Sequence, residues 1–127
     1  MLITTCPKTS NKNESYINSP NYPETYDSGT DCIWTFKLQP KQKLVLKFVD
    51  FDVDWEQYDC YDYVKISWTT KGKREQTKTF CNKKKHLVWD PIEPYGDEVK
   101  VSFHSNWRYQ YKGFKMEYEL FDIGKKN

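Results

Sequence analysis

The sequence predicts an all-β domain of short strands closed into a sandwich or barrel. Three observations predict it. Apolar and polar residues alternate over several runs of five to eight positions, and clusters of Asn, Pro, Gly and Ser separate those runs. No window carries an apolar helical period. A length of 127 residues fits one domain. Hydrophobic residues are only 37% of the chain, but seven Phe, ten Tyr and five Trp carry enough area to build a core from few, large side chains. A mean hydropathy of -0.94 therefore does not make the chain disordered.

The elements follow in order. Thr4 to Thr30 is rich in turn-forming residues, with a short extended piece around Tyr16 and Ile17. Cys32, Trp34, Phe36 and Leu38 alternate with Ile33, Thr35 and Lys37, which gives a strand with one apolar face. Leu44 to Phe51 is apolar on both faces and is expected to be a central strand. Asp52 to Asp59 reads as an acidic loop, and Tyr61 to Trp68 as a strand with Val64, Ile66 and Trp68 on one parity. Lys71-Gly72-Lys73 reads as a hairpin turn, followed by extended pieces at Thr79 to Cys81 and Leu87 to Trp89. Val99, Val101 and Phe103 share one strand face, and Phe114, Met116, Tyr118 and Leu120 share another. His104 falls on the opposite parity to Val99–Phe103 and should face outward or sit at an edge.

Cys6, Cys32, Cys60 and Cys81 are widely spaced, with no Cys-x-x-Cys pair, which is poor for a zinc knuckle or a thioredoxin-like centre. An even number in a small aromatic β domain favours two structural disulfides and an oxidising compartment; spacing alone permits three pairings. Asn13-Glu14-Ser15 is a glycosylation sequon compatible with a secreted surface loop. No apolar run approaches membrane-spanning length. Met1-Leu2-Ile3 is too short for a secretory signal, so the chain is expected to be a mature domain.

Catalysis is not expected. His86 and His104 are the two imidazoles, His86 lies inside a lysine run, and four paired cysteines leave no thiolate. No phosphate-binding glycine loop, His-Glu-x-x-His motif or Gly-x-Ser-x-Gly elbow occurs. Asp54 and Asp62 invite comparison with a glycosidase pair, but no substrate groove can be read from the sequence.

An ordered set of motifs resembles the CUB domain family. Ser19-Pro20-Asn21-Tyr22-Pro23 with Tyr26 is followed by Cys32-x-Trp34, Phe48 and Phe51-Asp52-Val53-Asp54. Cys60-Tyr61-Asp62-Tyr63-Val64-x-Ile66, Cys81, Phe103-x-Ser105-Asn106 and Gly113-Phe114-x-x-x-Tyr118 complete it, over residues 6–121. Residues 1–5 are left as an N-terminal extension and 122–127 as a tail. The resemblance implies an extracellular, jelly-roll-like sandwich of two antiparallel sheets with disulfides Cys6–Cys32 and Cys60–Cys81. Three positions depart from the family pattern. Cys6-Pro7-Lys8 stands for an opening Cys-Gly-Gly, the residue usual between the third cysteine and Tyr61-Asp62 is absent, and Asn82 stands for a common Gly.

The family resemblance also implies a Ca²⁺ site, with Asp54, Asp62 and Asn106 as ligands and Tyr26 in support. Here Asn106 stands where an acid is usual. Calcium takes six to eight hard oxygens, so Asn106 can still offer its amide oxygen at the loss of one charge. Asp50, Asp52, Asp54, Glu56, Asp59 and Asp62 are six acids within thirteen residues and would repel one another uncompensated. The competing reading is that Asp52 and Glu56 solvate a loop while Arg108 or a lysine neutralises the rest.

In the family such loops often recognise a basic side chain of a protein partner. Trp55, Tyr58, Trp107 and Tyr109, with Tyr111, are then candidate contacts, against the alternative that Trp55 or Trp107 folds over the core. A second surface is the basic stretch from Lys71 to His86, with seven Lys or Arg including Lys83-Lys84-Lys85 before His86. It suits heparin-like glycan, or a solvated loop. Nucleic acid is a poor candidate. The leading expectation is a non-enzymatic extracellular protein-binding module, with glycan binding and a passive structural or oligomerising role as alternatives.

Overall fold

The computed structural model describes residues 2–6, 15–54, 59–81 and 90–123, and eight strands lie within them. They are β1 (Leu2–Thr4), β2 (Tyr16–Asn18), β3 (Asp31–Lys37), β4 (Gln42–Asp52), β5 (Tyr63–Thr69), β6 (Gln76–Phe80), β7 (Glu98–His104) and β8 (Gly113–Asp122). A five-stranded sheet has the order β1-β3-β7-β5-β6 and a three-stranded sheet the order β2-β8-β4, with antiparallel pairing throughout. The architecture is thus a β-sandwich. Both disulfides, Cys6–Cys32 and Cys60–Cys81, are formed. They close stretches of 26 and 21 residues, and restricting the unfolded chain in this way is worth about 3 kcal/mol each.

Alternation generates the core. Cys32, Trp34 and Phe36 of β3, Val99, Val101 and Phe103 of β7, and Val64 and Ile66 of β5 turn one buried face toward Leu44, Leu46, Phe48, Phe114 and Met116 of the other sheet. Rings lock the two layers together edge-on: Trp34 meets Phe114 with centroids 5.6 Å apart, Phe36 meets Tyr118 at 5.0 Å, and Phe48 meets Phe80 at 5.2 Å. Such contacts add about 0.5–1.5 kcal/mol each beyond area burial.

One expectation is corrected. Leu44–Phe51 is not central: β4 pairs with β8 and otherwise makes only an isolated bridge from Leu46 to Ile92, among the described residues. Its two-faced apolar appearance comes from a bulge. The register steps between Phe48 and Asp50, so Val49 is extra and stands half-exposed at 48%, while Phe48 and Phe51 both point inward. Within the expected N-terminal extension, residues 2–4 form an edge strand in register with Trp34–Phe36. The Lys71-Gly72-Lys73 turn closes the β5–β6 hairpin, with Gly72 at φ +79° and the Lys73 N–H bonded to the Thr70 carbonyl. His104 turns outward, as its parity requires. The strand expected at Leu87–Trp89, the sequon at Asn13 and Asn82 lie outside the described residues.

Register also gathers the loops. His104 of β7 lies between Asp31 of β3 and Tyr63 of β5, while Asp52 faces Gly113 across β4 and β8. Residues 19–30, 53–54, 59–62 and 105–112 therefore lie at one end of the sandwich. Replacing Phe48 by Ala should lower unfolding free energy in urea by about 3–5 kcal/mol, as expected for an aromatic ring lost from a packed core. Val49→Ala, one residue along, should change it by less than about 0.5 kcal/mol. Equal effects would mean the bulge is not where the register places it.

A buried carboxylate pair at the loop end

The three loops are first tied by backbone and hydroxyl groups. Ser105, fully buried, donates from Oγ to the Asp27 carbonyl (2.8 Å) and accepts the Thr30 N–H (2.8 Å), pinning segment 27–30 to the end of β7. Ser19 does the same for β8. Its N–H donates to the Phe114 carbonyl and its Oγ accepts the Phe114 N–H, both at 3.0 Å. This close approach needs Gly113, whose φ is +92° and where a Cβ would stand 1.9 Å from Ser19 Oγ.

Inside this frame lie two carboxylates out of contact with water: Asp54 is 2% exposed and Asp62 0%. The Tyr26 hydroxyl donates to Asp62 Oδ2, and the Asn106 backbone N–H donates to Asp62 Oδ1 at 2.7 Å. Tyr26 Oη also accepts the Asp54 N–H at 3.3 Å, and the Asp62 N–H donates to the Asp54 carbonyl at 3.0 Å. Arg108 lays a fork on Asp54: Nε donates to Oδ2 at 3.0 Å and Nη2 to Oδ1 at 3.1 Å. The guanidinium also lies 4.0 Å from the Tyr61 ring centroid and 5.1 Å from that of Tyr109. Asn106 Oδ1 accepts the Arg108 N–H at 2.9 Å, and the Asn106 carbonyl accepts the Gly29 N–H at 3.1 Å.

Burial pushes the Asp62 carboxyl above its ordinary value; the bonds from Tyr26 and Asn106 oppose the rise, and the Asp54 charge adds to it. Burial, and then the bond to Asp62, raise the Tyr26 phenol well beyond its usual range. Beside the pair, Asp50 Oδ2 accepts from Tyr22 Oη at 2.7 Å and from Lys112 Nζ at 2.5 Å. Burial acts to raise Asp50, but the bonds from Lys112 and Tyr22 and the Lys112 charge outweigh it and leave Asp50 below its ordinary 3.8. Tyr22 is pushed up to about 12, by burial first and then by Asp50.

The structure thus brings together Asp54, Asp62, Asn106 and Tyr26. Their donor set does not fit calcium. All five side-chain oxygens of Asp54, Asp62 and Asn106 already accept N–H or O–H donors, and a guanidinium stands 3.0 Å from one of them. Calcium takes six to eight oxygen ligands, and a cation already stands on both Asp54 oxygens that would have to turn toward it. Among the described residues, no three His, Cys, Asp or Glu side chains gather to hold a metal.

The candidate contact residues divide. Trp107 is 81% exposed, Tyr109 59% and Tyr111 40%, so none of the three covers the core. The Trp107 ring rests against Gly29, where a Cβ would come within 3.0 Å of Cζ2; the backbone there has φ +66°. Trp55 and Tyr58 lie outside the described residues, as do Lys83, Lys84, Lys85 and His86. Lys71, Lys73 and Arg74 are exposed on the β5–β6 turn, at the other end of the five-stranded sheet. Sequence reasoning named Arg108 only as one possible neutraliser. Its pairing depends on a loop path that spacing does not encode.

Comparison with known proteins agrees with the fold. The CUB domain profile matches residues 6–118. Human neuropilin-2 is 31% identical over 116 residues, covering 89% of this chain and 12% of that protein. Mouse tolloid-like protein 1 is 31% identical over 99 residues, covering 78% of this chain and 10% of its own length. The chain therefore spans about a tenth of these curated relatives. Among solved structures, the extracellular region of zebrafish Gpr126/Adgrg6 superposes with a TM-score of 0.71 at 25% identity, covering 85% of this chain and 14% of that one. The second CUB domain of MASP-1, described as bound to Ca²⁺, superposes with a TM-score of 0.66 at 29% identity, covering 82% and 89% of the two chains.

Two outcomes follow from the hydrogen bonds. Tyr26→Phe leaves Asp62 Oδ2 short of its donor without changing the ring, and should cost about 1–3 kcal/mol of unfolding free energy. A neutral result would show that the oxygen is satisfied otherwise. Asp50 has a depressed folded-state value, so its contribution is present above 3.8 and lost as pH falls through the folded value. The stability gap between the wild type and Asp50→Asn, measured in urea, should be open at neutral pH and close as pH drops below 3.8. A gap independent of pH would refute the assignment.

Proposed function

The chain belongs to the CUB domain family, and from that membership we propose that its loop end is the surface that meets a protein partner. The domain is an extracellular, non-catalytic protein-binding module. The observation that carries the location is the exposure of Trp107, Tyr109 and Tyr111 in one loop whose ends are held by buried polar groups. Large aromatic rings left in water have apolar area to lose, and rings already fixed in place lose little conformational freedom on binding. Trp107 lies against Gly29 and Tyr109 beside the Arg108 guanidinium, so two of the three are held before any partner arrives.

A basic side chain on the partner suits this end. Asp27 and Asp59 are exposed on the loops that frame it, and Asp31 is exposed at the start of β3. Asp31 Oδ1 also bonds to His104 Nδ1 at 2.7 Å. The buried carboxylates of Asp54 and Asp62 act from beneath by holding the loops, since their own oxygens are engaged. A rim of carboxylates speeds encounter with a cationic partner and sharpens selectivity more than it deepens affinity.

Screening against an array of extracellular ectodomains, with wild-type protein and Trp107→Ala side by side, tests the location. Binding partners should lose about tenfold or more in affinity with Trp107→Ala, the loss of one well-packed aromatic anchor. Thr77→Ala, exposed on edge strand β6 toward the Lys71–Lys73 turn, should leave them unchanged. Partners sensitive to Thr77→Ala and indifferent to Trp107→Ala would place the interface elsewhere.

A further inference from the structure

Arg108 occupies the position, chemically, that a bound cation would have to take. Both of its contacts to Asp54 run along the carboxylate fork, at 3.0 and 3.1 Å, and Asp54 is 2% exposed. Two parallel charge-assisted bonds of this kind fix both the position and the orientation of the carboxylate. The same residue also meets Asn106 and Tyr61. Its backbone N–H bonds to Asn106 Oδ1, its guanidinium lies over Tyr61, and Asn106 in turn donates to Asp62 and accepts from Gly29. The Arg108 side chain therefore ties segment 105–112 to Asp54 and Tyr61, and Asn106, held by the Arg108 N–H, ties the same segment to Gly29.

Asn106 is consistent with that arrangement. Its amide oxygen is spent on the Arg108 N–H rather than left free, and it brings no charge that would need a second cation. An added divalent ion would have to displace the guanidinium from Asp54, the Tyr26 hydroxyl from Asp62 and the Arg108 N–H from Asn106. It would also lie beside a fixed positive charge. We infer that Arg108 is a built-in substitute for the metal ion, so that this domain orders its loop end without calcium and keeps it ordered when calcium is withdrawn. This goes beyond the partner surface described above and does not depend on it, because the readout needs no partner.

The test uses the whole chain, the metal alone and two variants. Calcium is titrated calorimetrically into chelator-stripped wild type, up to about ten times the weakest dissociation constant usual for extracellular sites, roughly 10⁻³ M. No saturable heat is expected, and the melting temperature should be the same in calcium and in chelator. Saturable heat, or a melting temperature that climbs with calcium, overturns the inference, because a ligand that binds the folded state must stabilise it. Arg108→Lys keeps the charge and loses the fork, and Arg108→Gln loses both. Both should melt below the wild type in chelator, Gln further than Lys. A lysine variant as stable as the wild type would overturn the fork. A glutamine variant as stable as the wild type would overturn the need for a cation altogether.

Discussion

A carboxylate taken out of water must meet positive charge or a full set of hydrogen-bond donors, and two of them side by side must meet more. Removing a single ion from water costs several kcal/mol even after the protein relaxes, and like charges in contact raise that further. Asp54 and Asp62 stand under this constraint at the end of the sandwich. Arg108 answers it for Asp54, and Tyr26 with the Asn106 N–H for Asp62. The order of the loops follows. Tyr26 comes from one segment and Arg108 and Asn106 from another, so satisfying the charges and positioning the loops are one event.

The sandwich prepares that event without taking part in it. Registers across β3, β7 and β5 end together, and the Ser19–Phe114 and Ser105–Thr30 bonds carry the neighbouring backbone into the same volume. Below them sits a dry layer of rings, in which Tyr26 packs edge-on to Phe103 at 5.0 Å and Phe103 lies 5.5 Å from Phe114. The Tyr26 phenol thus joins core to network, its ring serving one and its hydroxyl the other. A low-dielectric floor strengthens each hydrogen bond above it and raises the penalty for any that is missing.

Much of the fold was legible in the sequence because period-2 alternation is local. The faces of β3, β7 and β8 can be read directly from Cys32–Lys37, Glu98–His104 and Phe114–Leu120. The character of β4 was not legible. A bulge at Val49 shifts the parity, and a strand with one buried face then reads as apolar on both. Residues 2–4 are too short to show alternation and take their structure from β3. At the candidate site, motif order located Asp54, Asp62, Asn106 and Tyr26. What those residues do was hidden, because it turns on which way Arg108 points. That direction is set by the Asn106 turn and the Tyr61 face, neither of which sequence spacing encodes.

An internal arginine and an exchangeable ion solve the same electrostatic problem with different consequences. An ion can be withdrawn, so loops that depend on it inherit its concentration dependence. A guanidinium is carried by the chain and stays charged at any pH the fold survives, so it gives no such control. It also carries carbon and π surface, which an ion does not. Arg108 spreads that surface against Tyr61 and Tyr109, extending the network from buried carboxylate to exposed aromatic ring. The residue that neutralises the interior thereby also steadies part of the surface offered to a partner. Loss of Arg108 should therefore reach Tyr109 as well as Asp54, coupling two properties that a metal-ordered loop end would keep apart.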